Sequence, residues 1–455
     1  MRAFSLALLA VPLLIGAAGP SSAADAPLGD SERIDAIFSS SAGRSLPGAA
    51  VLVMRDSAVV HAKAYGLASL ESGTPNTTRT KFRLASVSKS FTALLVLQLV
   101  QEGRLHLDDP LDKYVPGVVG GDRITIHHLL THTAGMPDFM AFEEAAKLPR
   151  DDAPGERLNY SNLGYAALGK VIEKVTGRPY EARLREAILD PLGMKDSGCD
   201  RREPPLENQA TGYVFDEKGA VTRAEQTDMT SNCAPGGLYS TAEDMAAWVK
   251  GLLEGRIVPP ALLEKAWTPV ALNDGRRGVY GYGFMLVPYR GLREVGHGGD
   301  ISGFNTYVAI YPTERLAVVV LSNVGMRPPG PVPEAGAIAH QIVEALAGDR
   351  LGPRWPETVA LAPEVLDRYT GRYRIDAPPP ILAVMGETIE IRREETRLIA
   401  RGKQGEAEIF PQSETEFHSK AGPVRIWFTP AKDGRPAQAV LTLMGLREFH
   451  LTWLP

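Results

Sequence analysis

The sequence predicts an α+β fold: an antiparallel sheet flanked by helices as an α/β sandwich, a helical subdomain beside it, and a small β-rich domain at the C-terminus. Three observations carry this. Apolar strand-like runs occur at both ends of residues 30–348, with a mostly helical block between them. Residues 93–100 form an apolar stretch that reads as a buried helix. Beyond a linker at 349–358, residues 359–455 break into short alternating runs with polar turns, the pattern of a small barrel or sandwich.

In chain order, residues 1–24 read as a signal peptide: Arg2, an apolar core interrupted by Pro12, then small residues up to Ala24. The core is shorter than the roughly 20 residues a membrane span needs. Residues 31–40 suggest a short amphipathic helix, and 48–55 with 58–64 a hairpin about Asp56-Ser57. The helix holding 93–100 stops at Gly103. A short helical stretch over 124–133 closes at Gly135 and Pro137. Residues 162–176 place Leu163, Ala167, Leu168, Val171, Ile172 and Val175 on one helical face, ended by Gly177 and Pro179. Ser240 with Glu243 has the spacing of a capping box ahead of the helix at 245–253. The period then changes to strands at 280–287, 293–296, 305–311 and 316–321, before a helix at 334–347. Such a chain closes one sheet from its two ends and leaves a cleft against the helical block, where small-ligand chemistry belongs. The expected units are therefore a signal peptide at 1–24, a main domain at 25–348, a linker at 349–358 and a β-rich domain at 359–455.

Composition bounds the function. Of 455 residues, 44% are hydrophobic and 23% charged, and the net charge of −5 gives no reason to expect nucleic acid or an anionic membrane. Cys199 and Cys233 both lie in the exported part, where they form either a disulfide or a pair of buried thiols. No Cys/His spacing suggests zinc; His128 and His132 lie four apart but lack an accompanying acid, so no metal or cofactor is expected.

Three short stretches carry chemistry. In Ser86-Val87-Ser88-Lys89 the lysine lies one helical turn beyond Ser86 and can accept its hydroxyl proton. Ser88 faces away and is the poorer nucleophile. In Tyr160-Ser161-Asn162, a phenol beside cations can relay protons, and Asn162 either offers an amide to a substrate carbonyl or caps the helix. In Gly296-His297-Gly298-Gly299-Asp300, small residues let a substrate backbone approach a strand, and His297 brings a proton donor. The N–H groups of Ser86 and Asp300 could converge as an oxyanion hole.

The three stretches, in this order and context, resemble the serine β-lactamase and penicillin-binding-protein superfamily, in its class C β-lactamase and D-alanyl-D-alanine carboxypeptidase branch. Residues 129–137, 192–196 and 236–244 share that resemblance, which covers roughly residues 30–348. It implies that Ser86 is acylated, that Lys89 and Tyr160 share the proton traffic, and that Asn162, His297, Gly298, Gly299 and Asp300 bind substrate. His297 stands where most β-lactamases of the branch have lysine, which weakens the case for a dedicated β-lactamase. Residues 366–373 resemble the start of the lipocalin-like barrel appended to some of these peptidases. The implied protein is a periplasmic or secreted serine hydrolase of amides or esters, acting on a peptide or small molecule without a cofactor, with a β-lactamase or a non-catalytic penicillin-binding protein as alternatives. If His297 reads a substrate carboxylate, activity on carboxylate-bearing peptides should fall as pH rises through 6–7, the ordinary histidine range.

Overall fold

The structure is a computed structural model that describes residues 29–39, 45–137, 142, 146–148, 152–201, 206–216, 218–325, 332–377, 379–420, 424–429, 436, 438–443 and 445–454. The signal peptide read at 1–24 lies outside the described residues.

The first helix, α1 (Asp30–Ile37), leads into a hairpin of β1 (Ala49–Arg55) and β2 (Ala58–Tyr65). A short strand β3 (Phe82–Arg83) enters a single 3₁₀ turn (Ala85–Val87), which runs directly into α2 (Ser88–Gln101). Helices α3 (Ile126–Leu130) and α4 (Asn162–Thr176) follow, then the short strands β4 (Gly198–Cys199) and β5 (Leu238–Ser240), and helix α5 (Ala242–Leu253). Strands β6 (Val295–Ile301), β7 (Phe304–Tyr311) and β8 (Leu316–Ser322) precede helix α6 (Ala335–Ala347).

The two ends of this stretch close one five-stranded sheet in the order β6-β7-β8-β1-β2. Strand β1 pairs antiparallel with β8, Val51 facing Val320. Both central strands are buried on both faces, which is why they read as continuous apolar runs rather than alternating ones. Alternate residues separate into two cores. Leu52, Val308, Val319 and Leu321 join the larger core with Phe91, Leu95 and Leu168 from α2 and α4. Val51, Val53, Val318 and Val320 face Ile34 of α1 and Ile338, Ile342 and Val343 of α6.

Several local expectations are corrected. Residues 280–287 do not form a regular strand: Gly283 is left-handed (φ +78°), and the N–H of Gly281 turns back to the Phe284 carbonyl at 2.9 Å. The strand expected at 293–296 is instead β6, and it carries the whole His-Gly-Gly-Asp run. Helix α5 is capped by Thr241, whose hydroxyl accepts from the Asp244 N–H at 3.1 Å, while the Ser240 hydroxyl meets Ser197. Helix α4 is capped by Ser161, which accepts from the Gly164 N–H at 3.2 Å, so Asn162 is not its cap.

The C-terminal strands form a closed eight-stranded up-and-down barrel: β9 (Gly371–Asp376), β10 (Thr388–Glu394), β11 (Arg397–Gly402), β12 (Gly405–Pro411), β13 (Glu416–Ser419), β14 (Val424–Phe428), β15 (Gln438–Leu443) and β16 (Arg447–Leu454). Closure comes from β9 pairing with β16, Tyr373 opposite Trp453. Tyr373, Phe417, Phe428, Leu441 and Phe449 fill the interior, so the barrel is a packed core. Its β15–β16 hairpin tip docks on the main domain. Leu446 joins an apolar cluster with Leu158, Val270 and Tyr280, and Arg276 donates to both oxygens of Glu448 at 3.0 and 3.1 Å.

Candidate active site

Ser86 sits in the 3₁₀ turn, one residue after Ala85, whose φ of +49° is a strained value for a residue with a Cβ. The turn places Lys89 in the first turn of α2 with its side chain fully buried. Lys89 Nζ lies 3.1 Å from Ser86 Oγ, 2.7 Å from Asn162 Oδ1 and 2.5 Å from the Pro235 carbonyl oxygen. These three oxygens match the three donors of an ammonium, and none of them is ionised. They solvate the charge inside the protein without adding an opposite charge to pin the proton. Asn162 is therefore directed at Lys89 and does not cap its helix.

Ser88 is engaged elsewhere. Its hydroxyl donates to the Ala85 carbonyl at 2.6 Å and accepts from the Leu238 N–H at 3.0 Å, which ties α2 to β5.

Tyr160 precedes α4, and its ring centroid lies 4.8 Å from Lys89 Nζ. Its ring lies against that of His132, with centroids 4.3 Å apart, and its backbone N–H donates to the Leu446 carbonyl at 3.0 Å. That second contact comes from the barrel. Nothing in the sequence pointed to Leu446, because a backbone carbonyl from a distant hairpin has no side-chain signature.

His132 is the other residue the sequence left aside. Its Nδ1 accepts the Ser161 N–H at 3.1 Å, so the neutral ring carries its proton on Nε2. Burial, then the nearby charge of Lys89, holds its pKa well below the ordinary value.

His297 lies on β6, and its ring is 6.2 Å from that of Tyr160. Its Nδ1 is 2.6 Å from the Gly298 carbonyl, which can only accept, so Nδ1 carries the proton. Its Nε2 then accepts from the Tyr280 hydroxyl at 2.8 Å. Burial, then Lys89, lowers the His297 pKa to about 3. His297 is thus a neutral ring at physiological pH, and the expected titration near pH 6–7 does not apply. Tyr280 was hidden from the sequence reading because residues 280–287 looked like ordinary strand.

Strand β6 is the edge of the sheet and lies against the Ser86 turn. Gly299 makes the approach possible: a methyl group there would stand 2.2 Å from the Leu84 carbonyl oxygen and 3.1 Å from the Ser86 nitrogen. Gly298 is less constrained, its nearest contact being the Tyr307 ring at 3.4 Å. Asp300 pairs with Asn305 and is exposed. Cys199 and Cys233 form a disulfide, with Cα atoms 5.5 Å apart. Among the described residues, no cluster of three or more His, Cys, Asp or Glu side chains could hold a metal ion.

A serine hydroxyl resting on a buried amine, beside an edge strand open enough for a substrate backbone, is equipment for acyl transfer, and the enzyme is a serine hydrolase. Residues 34–342 match the family model described as Beta-lactamase, and the chain belongs to that family. It is 28% identical over 424 residues to Penicillin-binding protein 4* of Bacillus subtilis, spanning 84% of this chain and 90% of that one. Among solved structures, the octameric penicillin-binding protein homologue from Pyrococcus abyssi superimposes with a TM-score of 0.62 at 27% identity, over 92% of this chain and 99% of that chain. The D-amino acid amidase of Ochrobactrum anthropi, solved with D-phenylalanine, gives a TM-score of 0.61 at 25% identity, over 70% of this chain and 99% of that chain.

Proposed function

We propose that this protein is an exported serine hydrolase that cleaves amides or esters of D-amino-acid type through an acyl-enzyme on Ser86. The contact between buried Lys89 Nζ and Ser86 Oγ at 3.1 Å carries this reading. In the unprotonated state Lys89 takes the hydroxyl proton as Ser86 attacks the carbonyl carbon. The proton then passes to the leaving amine or alcohol, with Tyr160 beside the relay. Water reverses the sequence and frees Ser86. The N–H groups of Ser86 and Asp300 are assigned to the developing oxyanion, and Gly298 and Gly299 to the passage of the substrate backbone.

Neutral, hydrogen-bonded His297 gives strand β6 no cation with which to bind a carboxylate. This favours substrates uncharged at that end, amides and esters, over free D-alanyl-D-alanine termini and β-lactams. The O. anthropi protein of similar fold, a D-amino acid amidase, agrees. The disulfide and the sequence of residues 1–24 support export to an oxidising compartment.

The test is intact mass after exposure to a fluorophosphonate and to a fluorescent penicillin, with turnover of a D-amino-acid amide, a short-chain ester and a D-alanyl-D-alanine peptide. Wild type should add one fluorophosphonate adduct and turn over amide or ester faster than peptide. Ser86→Ala should lose adduct and turnover while Ser88→Ala keeps its adduct. Labelling that survives Ser86→Ala would remove this reading.

A further inference from the structure

We propose that the Cys199–Cys233 disulfide is a positioning cross-link for Lys89, acting through the Pro235 carbonyl. The inference rests on the assignment of Lys89 as proton acceptor made above.

Cys233 opens a short turn, Cys233–Gly236, that crosses behind α2. Three successive residues of this turn are held at three different points. Cys233 is bonded to Cys199 on β4. The Ala234 carbonyl accepts from the Thr92 hydroxyl at 2.7 Å. The Pro235 carbonyl accepts from Lys89 Nζ at 2.5 Å. Strand β4 is itself firmly placed. Cys199 pairs with Leu238 on β5, and the adjacent Asp200 forms a buried ion pair with Arg83, three residues ahead of Ser86. The disulfide therefore ties the carbonyl that steadies Lys89 to the same small sheet that delivers Ser86.

The turn also has an open side. A groove of about 960 Å³ runs along it, lined by both cysteines and by Lys170, Glu173 and Tyr180. Gly169, also on this groove, packs closely on the turn: a methyl there would stand 2.8 Å from the Ala234 Cβ. The disulfide is the covalent restraint on the turn, added to the hydrogen bonds from Thr92 and Lys89. The groove also gives a small reductant access to the sulfurs. Dithiothreitol delivers two electrons and two protons, leaving two thiols on the protein and its own cyclic disulfide.

The effect should appear in chemistry rather than in binding. If the Pro235 carbonyl drifts, the ammonium loses one of its acceptors, and the limb of the pH profile that depends on Lys89 should move to lower pH. Among the described residues, Ser86, Tyr160, Tyr165, His132, His297 and the neutral amide of Asn162 surround Lys89, and reduction alters none of them covalently.

The experiment compares oxidised full-length protein, the same protein in dithiothreitol, and the double variant Cys199→Ala/Cys233→Ala. Each is assayed well below its melting midpoint for kcat, KM and the pH profile on an uncharged ester. The expected result is a fall in kcat of about 10- to 100-fold with KM within about twofold. The acidic limb should shift downward, and reoxidation should restore the rate. A folded, reduced enzyme with unchanged kcat and pH profile, alongside an inactive Lys89→Ala, overturns the inference and leaves the function standing. Should the reduced chain unfold, the double variant Cys199→Ala/Cys233→Ala decides, and normal kcat and pH profile in it are equally fatal. A fully active Lys89→Ala removes the functional reading and this inference together.

Discussion

The five-stranded sheet and the eight-stranded barrel handle unpaired strand edges in opposite ways. The barrel closes β9 onto β16 and has no edge left, and aromatic residues fill its interior. The sheet ends at β6, where, among the described residues, Met285 pairs with Gly296 alone by two hydrogen bonds. The strand beyond it continues as an edge, and Ser86 lies beside that edge. An edge offers backbone donors and acceptors to an incoming chain, so it is the natural place to lay out a substrate. Among the described residues, the barrel meets the candidate site at its hairpin tip, where the Leu446 carbonyl accepts from the Tyr160 N–H. The candidate site lies where β-pairing is left incomplete.

The largest expected effect tests the open side. Lys89→Ala and Tyr160→Phe should each slow acylation by about 10²–10⁴-fold, measured as the rate of fluorophosphonate adduct formation. Near-normal rates in both would take the two side chains out of the mechanism and leave the edge with no reason to lie there.

A pair of glycine variants examines the edge itself. Gly299→Ala forces a methyl to 2.2 Å from the Leu84 carbonyl, a backbone atom that cannot yield without moving the Ser86 turn. A loss of about 100-fold in kcat/KM is expected. Gly298→Ala, with its nearest contact at 3.4 Å, should stay close to wild type. Equal behaviour of the two variants would mean that β6 need not approach Ser86 so closely.

The closed side is tested by Arg276→Ala, which leaves the buried Glu448 carboxylate without the guanidinium that secures the hairpin. Arg276 is about a third exposed, its side chain at 32%, so solvent screens part of the loss. Destabilisation of about 1–3 kcal/mol in urea titration is expected. The accompanying fall in kcat should be modest, up to about tenfold, through looser placement of Tyr160. Unchanged kcat in a destabilised variant would reduce the barrel to a stabilising attachment.

Acid should destabilise the main domain through its buried histidines. His297 falls to about 3 and His128 to about 4, both because of burial, and His132 lies well below its usual value for the same reason. A histidine held neutral in the folded chain takes up protons only on unfolding. Stability is therefore complete above about pH 6.5 and declines as pH falls toward 4, by up to about 1.4 kcal/mol per pH unit for each such histidine. Urea midpoints at pH 7.5, 6 and 5 measure the slope, and His297→Gln should lower it by about one proton. A flat profile would contradict the neutral assignment.

The legibility of the site in the sequence followed one rule. Ser86, Lys89, Tyr160 and Asn162 sit within a few residues of helix starts, where spacing fixes direction, so their side chains could be read from local pattern. The hairpin of β1 and β2 and most barrel strands were legible for the same reason. Tyr280 was not, because left-handed Gly283 turned an apparent strand into a loop facing His297. Ser240 and Thr241 compete for the same cap, and packing against Ser197 decided between them.

By itself the sequence determined the fold class, the order of the three candidate stretches and the residue types they bring, because helix and strand periods and short motifs are local properties. Only the tertiary structure decided the charge state of His297, the direction of Asn162, the carbonyls of Pro235 and Leu446 that hold Lys89 and Tyr160, and the joining of the two cysteines. Each of these depends on burial or on a backbone atom brought from far along the chain. Neither desolvation nor a carbonyl oxygen leaves a mark in the order of amino acids.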